Sequence, residues 1–157
     1  MGKLYEQYIY KFYLTASHSI MIGDSRGPIH SHTWEITIDV TNSNDTFIEF
    51  NEIEKRIEGI LSKYQKTYLN EISPLDKINP TLENLCEYFK DLIKIDLAKV
   101  GFVLLMIEMS ETASRSYIIN LAKDGDEEDF KLDKDGDGII DSLEMDEFLD
   151  NLYNARI

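Results

Sequence analysis

The sequence has 157 residues, which is enough for one domain and a small appendage but too few for two full-sized domains. Hydrophobic residues make up 43%, aromatic residues 11% and charged residues 29%, which excludes collagen-like, mucin-like and wholly disordered chains. Sixteen basic and thirty acidic side chains give a net charge of -14, so we expect neither nucleic acid nor an anionic membrane as a partner.

The first half of the chain predicts two strands. Apolar and polar residues alternate over residues 4–14, which indicates a long strand with Tyr10, Phe12 and Leu14 on one face. Residues 19–29 are rich in turn-forming residues and predict a loop. Strict alternation returns over residues 33–41 and predicts a second strand, whose inward residues are Trp34, Ile36, Ile38 and Val40.

Two helices and two further strands follow. Apolar residues at helical spacing predict a first helix over residues 51–64. The second helix begins near Asn79-Pro80-Thr81, where Asn79 or Thr81 could cap it, and its apolar stripe includes Cys86 as a core residue. Residues 102–109 and 116–121 are apolar runs typical of strands. The order is therefore ββααββ, an α+β fold.

The single cysteine and the lack of a long apolar run predict the cellular compartment of the protein. Cys86 excludes an intrachain disulfide and a thiolate zinc cluster, and it fits a reducing compartment. No run approaches the roughly 18 apolar residues of a membrane span, and Glu6 and Gln7 fall where a signal peptide needs an apolar core. We therefore expect a cytoplasmic protein.

A second module is predicted over residues 122–157, after a first domain over residues 1–121. Thirteen acidic and four basic side chains lie in residues 121–157, so this segment carries most of the net charge. Residues 133–144 read DKDGDGIIDSLE, which matches the twelve-residue EF-hand calcium loop. The expected calcium ligands are Asp133, Asp135, Asp137, the carbonyl of Ile139, Asp141 and Glu144. The alternative is an acidic, solvated tail.

The three histidines form the second candidate metal site. His30 and His32 are two residues apart at the entrance to the second strand, so both imidazoles point to one side. His18 lies at the end of the first strand, which would pair antiparallel with the second across the 19–29 loop, so it can approach the same face. Three neutral imidazoles with an open fourth position are typical of a catalytic zinc site. The alternative is three histidines without a metal.

Over residues 4–121 the sequence resembles the 6-pyruvoyltetrahydropterin synthase and 6-carboxytetrahydropterin synthase family. The resemblance rests on the order and spacing of five motifs, which are FYLTASH at 12–18, HSH at 30–32, YLN at 68–70, NPTLEN at 79–84 and ET at 111–112. It implies the tunnelling fold, a four-stranded antiparallel sheet backed by two helices on one face. It also implies a homo-oligomer, a trimer or hexamer, with sites between subunits.

The same resemblance implies roles for individual residues. Zinc would bind His18, His30 and His32, and Glu111 would anchor a pterin- or purine-like ring by accepting its N–H donors. Thr81 and Glu83 would line the pocket from a neighbouring subunit. A strand-end surface position is the alternative for Glu111, and helix capping is the alternative for Thr81 and Glu83.

The chain departs from the family at its proton-transfer groups. The loop before His30 contains no cysteine, and Gln65 and Lys66 stand where the family has an Asp-His pair. Asp24, Ser25 or Lys66 would have to move protons instead, although a lysine of ordinary pKa is a poor general base.

Two functional hypotheses follow from this pattern. The first is a zinc-dependent lyase acting on a dihydroneopterin-triphosphate-like substrate. The second is a non-catalytic, calcium-responsive ligand-binding or scaffold oligomer that keeps the zinc site.

Overall fold

The computed structural model describes residues 6–43 and 47–121. The C-terminal module therefore lies outside the described residues. Its boundary at residue 122 and its calcium ligands stay predictions; those ligands are Asp133, Asp135, Asp137, Ile139, Asp141 and Glu144.

The architecture is the predicted four-stranded antiparallel sheet with two helices. The sheet has the order β1-β4-β5-β6, and a two-stranded hairpin of β2 and β3 lies between β1 and β4 in the chain. The strands are β1 (Tyr8–His18), β2 (Met21–Ile22), β3 (Ser25–Arg26), β4 (His30–Asn42), β5 (Phe102–Thr112) and β6 (Arg115–Asn120). The helices are α1 (Phe50–Ser62) and α2 (Leu82–Ala98), with single 3₁₀ turns at Leu69–Glu71 and Leu75–Lys77 between them.

The core lies between the sheet and the helices, as the alternation of apolar residues predicts. Tyr10, Phe12 and Leu14 of β1 are buried, and so are the four predicted inward residues of β4. Helix α1 buries Ile53, Ile57 and Leu61, while α2 buries the stripe that includes Cys86. Burial of these side chains, at about 25 cal/mol per Å² of apolar surface, drives the sheet and helices together.

Three strands extend beyond their predicted bounds, and two of the extensions carry the histidines. Strand β1 continues to His18 and β4 begins at His30, because backbone pairing runs without interruption from Tyr8 opposite Val40 to His18 opposite His30. The residues at these ends are weak strand formers, so only the partner strand specifies them. Strand β5 likewise continues to Thr112.

The loop predicted at residues 19–29 contains the β2–β3 hairpin. Gly23 lies at its tip with a φ of 62°, in the left-handed region that favours glycine.

No helix within residues 6–43 and 47–121 is both long and apolar enough to cross a membrane.

Cys86 should be chemically inert in the folded protein. Burial raises the pKa of its thiol to about 12, so almost no reactive thiolate forms near neutral pH. We expect native protein at pH 8 to react negligibly with iodoacetamide over a time in which the urea-denatured chain reacts fully, as measured by mass spectrometry. Rapid labelling of the native protein would contradict the burial of Cys86.

Candidate metal centre

The pairing of β1 with β4 brings the three histidines together. His18 lies opposite His30, and Ala16 lies opposite His32. The ring centroids of the three imidazoles are 4.5–5.2 Å apart, and one ligand nitrogen from each residue lies within 4.8 Å of the others. The expectation that the three imidazoles share one face is confirmed.

Two asparagines hold the chain just after His18. The Asn70 amide accepts from the Ser19 backbone N–H and donates to the Ser19 carbonyl, both at 2.9 Å. The Asn79 amide makes the same pair of 2.9 Å bonds with Met21. Since each amide satisfies both backbone groups of its partner, the segment is anchored where the β1–β4 ladder ends.

Backbone carbonyls fix the tautomer of two imidazoles. His18 Nδ1–H donates to the Pro80 carbonyl at 2.8 Å, and His30 Nδ1–H donates to the Pro28 carbonyl at 3.0 Å. A carbonyl can only accept, so in each neutral ring the hydrogen lies on Nδ1 and the lone pair on Nε2. This arrangement is the usual outer-shell support of a metal-binding histidine.

The donor atoms fit a bound cation. The Nε2 atoms of His18 and His30 are 2.9 Å apart, and with both hydrogens on Nδ1 two lone pairs face each other. His32 Nε2 is buried without a hydrogen-bond partner among the described residues. Burial lowers the pKa of His18 and of His32, which favours the neutral form that binds metals. Imidazole nitrogens of this kind suit zinc.

Glu111 lies beside the histidines. Its Oε1 is 3.5 Å from Nε2 of His18 and 3.5 Å from Nε2 of His32, and its side chain is only 9% exposed. Its Oε2 accepts from Arg115 at 3.1 Å. The alternative of a solvated strand-end carboxylate therefore does not describe this residue, whereas the expected role in ring binding stays a prediction.

The candidate proton-transfer residues are exposed. Asp24 and Ser25 lie on the β2–β3 hairpin, and Lys66 adopts a left-handed conformation with a φ of 58°. The Lys66 backbone N–H donates to the Thr15 carbonyl at 2.6 Å. Within the described residues Asp24 is not part of the metal-binding group that the three histidines form.

Gln65 has a clear structural role. Its amide accepts from the Thr15 N–H at 3.0 Å and donates to the Tyr13 carbonyl at 2.7 Å, so it continues the hydrogen bonding of the β1 edge. Both ends of the amide are therefore committed to the backbone.

Thr81 caps α2, which decides between the two predicted caps. Its hydroxyl accepts from the Asn84 N–H at 3.2 Å. Glu83 follows in the first turn and is exposed. Their role in a pocket between subunits stays a prediction.

Sequence reasoning missed two supports of the site. The Pro80 carbonyl has no sequence signal, because every residue carries a carbonyl group. Trp34 was predicted only as a core residue, yet its ring lies edge-on to His18 at 4.9 Å and 5.2 Å from the ring of His32. As the single tryptophan of the chain, Trp34 reports on the site.

Comparison with known proteins gives one family. The sequence model of the 6-pyruvoyl tetrahydropterin synthase family matches residues 8–121. A search of the curated proteins finds no match.

Solved structures share the fold at low sequence identity. 6-Pyruvoyl tetrahydropterin synthase from Caenorhabditis elegans is 13% identical with a TM-score of 0.63, over 74% of this chain and 96% of its own. An uncharacterized protein from Wolinella succinogenes is 11% identical with a TM-score of 0.59, over 76% and 100%. The Plasmodium vivax synthase with a catalytic glutamate replaced by alanine is 10% identical with a TM-score of 0.56, over 74% and 98%.

Trp34 fluorescence should follow metal binding. Because its ring contacts two of the three imidazoles, we expect Co²⁺ to quench the emission of metal-free protein with a stoichiometry of one per chain. His32→Ala should weaken this binding by more than about 100-fold, the upper end of what losing an outer-shell partner costs. Ser31→Ala is the matched control, since Ser31 lies between the two histidines and points to the opposite face. Equal titrations of the two variants would contradict the site.

Proposed function

We propose, since this chain belongs to the 6-pyruvoyl tetrahydropterin synthase family, that it is a zinc-dependent, pterin synthase-like lyase. Its substrate would resemble dihydroneopterin triphosphate. The observation that supports this proposal most is the convergence of three imidazoles, two of which direct their Nε2 lone pairs at each other and so favour a bound cation. A fold alone hosts many activities, so the metal-binding residues carry the argument.

The chain's own residues would divide the work as follows. The Nε2 atoms of His18, His30 and His32 hold the metal, while Pro80 and Pro28 keep the hydrogens on Nδ1. Zinc held there supplies a Lewis acid that acidifies side-chain hydroxyls of the substrate. Glu111 is the candidate ring anchor, because a carboxylate can accept two N–H groups from the guanidine-like edge of a pterin.

Proton transfer needs a group outside the usual family set. Asp24 is our candidate, with Ser25 and Lys66 as alternatives. A glutamate is the catalytic residue of the Plasmodium vivax relative by its description, so a carboxylate can serve in this family. Asp24 lies six residues before His30 on the exposed hairpin that joins the two histidine-bearing strands.

We also propose that the chain forms a homo-oligomer, a trimer or hexamer. Within the described residues β1 and β6 are the edge strands of the sheet, and residues 65–68 bond only the Tyr13–Ser17 part of the β1 edge. Such edges are stabilised when another strand pairs with them. A cytoplasmic location is part of the proposal, which the free thiol of Cys86 favours.

A second candidate function is ligand binding without turnover. The observation that favours it is Gln65, whose amide is committed to the β1 backbone at a position where the family has a proton-transfer group. In this hypothesis the zinc site is retained in a scaffold, and residues 133–144 bind calcium to control assembly.

Turnover separates the two functions. We expect zinc-loaded protein to convert dihydroneopterin triphosphate with release of inorganic triphosphate and a change in the ultraviolet absorbance of the pterin. His30→Ala should reduce the rate at least about 100-fold, because it removes a metal ligand, while Ser31→Ala should leave it unchanged. Asp24→Asn should lower kcat more than it raises KM if Asp24 moves a proton. No product from fully zinc-loaded protein would exclude this lyase activity and favour the binding function.

The scaffold hypothesis makes its own prediction. Sedimentation velocity of the full chain should show a change in assembly when calcium replaces EDTA, and Glu144→Gln should abolish that change because Glu144 is the expected two-oxygen ligand. If neither the oligomeric state nor the thermal stability changes when calcium is added, calcium does not control assembly.

A further inference from the structure

We propose that Glu111 is the fourth protein ligand of the metal in the substrate-free chain, so that protein groups alone close the coordination shell. The inference rests on the metal site of the proposed function but not on turnover. It gives Glu111 a role at the metal that precedes any contact with a ring.

The distances agree with four-coordinate binding. In a tetrahedral site with metal–ligand bonds of 2.0–2.1 Å, neighbouring ligand atoms are about 3.3 Å apart. Glu111 Oε1 is 3.5 Å from Nε2 of His18 and from Nε2 of His32, and Nε2 of His18 is 2.9 Å from that of His30. These three distances are within about 0.5 Å of the tetrahedral spacing, and one ligand nitrogen from each of the three histidines lies within 4.8 Å of the others.

Hydrogen bonding does not explain why Glu111 lies here. The carboxylate can only accept, and the single hydrogen of His18 is already donated to Pro80 through Nδ1. Glu111 Oε1 and His32 Nε2 are both buried and lack a hydrogen-bond partner among the described residues. With the hydrogen of His32 on Nδ1, as in the other two rings, both atoms are buried acceptors, which cost free energy unless a cation satisfies both.

The backbone of β5 is shaped to present this side chain. The pairing of β5 with β6 shifts between Ser110 and Thr112, so Glu111 is the extra residue of a β-bulge. Bulges next to functional sites commonly re-aim one side chain. Arg115 then holds Oε2 at 3.1 Å, which leaves Oε1 directed at the histidines.

Cobalt-substituted protein tests the closed shell without any substrate. The measurements are the visible absorption of the Co²⁺ protein during azide titration, and its metal affinity by competition with a chelator. The test variant is Glu111→Gln, which keeps the shape but removes the charge. The matched control is Glu108→Gln, which makes the same change on β5 at a residue that pairs with Thr37.

We expect the wild type and Glu108→Gln to show intense four-coordinate bands that resist azide. Glu111→Gln should bind azide at a concentration at least about tenfold lower and hold metal at least about tenfold more weakly. Azide binding by the wild type as readily as by Glu111→Gln, or equal metal affinities of the two, would overturn the proposal.

If Glu111→Gln fails to fold, measurements on the wild-type protein alone test the proposal. Its cobalt spectrum and X-ray absorption should show four ligands with no exchangeable water, whereas a shell that exchanges water or azide overturns the inference. Neither readout depends on turnover, so inactive protein with a closed shell refutes only the lyase function, and active protein with an open shell refutes only the role of Glu111.

Discussion

Repulsion between imidazole lone pairs is the constraint on which the centre depends. The carbonyls of Pro80 and Pro28 force both hydrogens onto Nδ1, so Nε2 of His18 and Nε2 of His30 meet without a hydrogen between them. The fold holds this contact with the two asparagine amides that anchor Ser19 and Met21. The fold therefore holds two hydrogen-bond acceptors against each other, with the His32 imidazole close by. The free energy of folding offsets their repulsion, so the site is preorganised for a cation.

The sequence was sufficient for the four strands of the main sheet, though not for their ends or for the β2–β3 hairpin, and it was sufficient for the histidine cluster. Period-two alternation placed His30 and His32 on one face, and antiparallel pairing then required His18 to approach them. The nearness of Glu111 could not be predicted in this way. Residue 111 is far from the histidines along the chain, and its position depends on the β4–β5 register and on a bulge that no residue type announces. The helix cap was also open, because Asn79 and Thr81 are equally good capping residues until their other bonds are known.

Gln65 shows how the same position can serve the fold instead of the chemistry. The sequence shows only that an amide stands where the family has an acid–base group. In the structure that amide supplies the hydrogen bonds that a neighbouring strand would give to Tyr13 and Thr15. A residue tied at both ends in this way cannot orient an imidazole, so the proposed lyase activity would need a proton-transfer group on another element. The exposed β2–β3 hairpin, which carries Asp24, is the element between the histidine-bearing strands.

The two roles of Glu111 are linked by the number of its oxygens. Arg115 occupies Oε2 and, in our proposal, the metal occupies Oε1, so a ring that takes both oxygens by two N–H bonds competes with both partners. Release of Oε1 would open a coordination position only when a ring is present. In that arrangement the metal meets the substrate side chain after the ring has been recognised, and small anions from solution are kept out of the empty site.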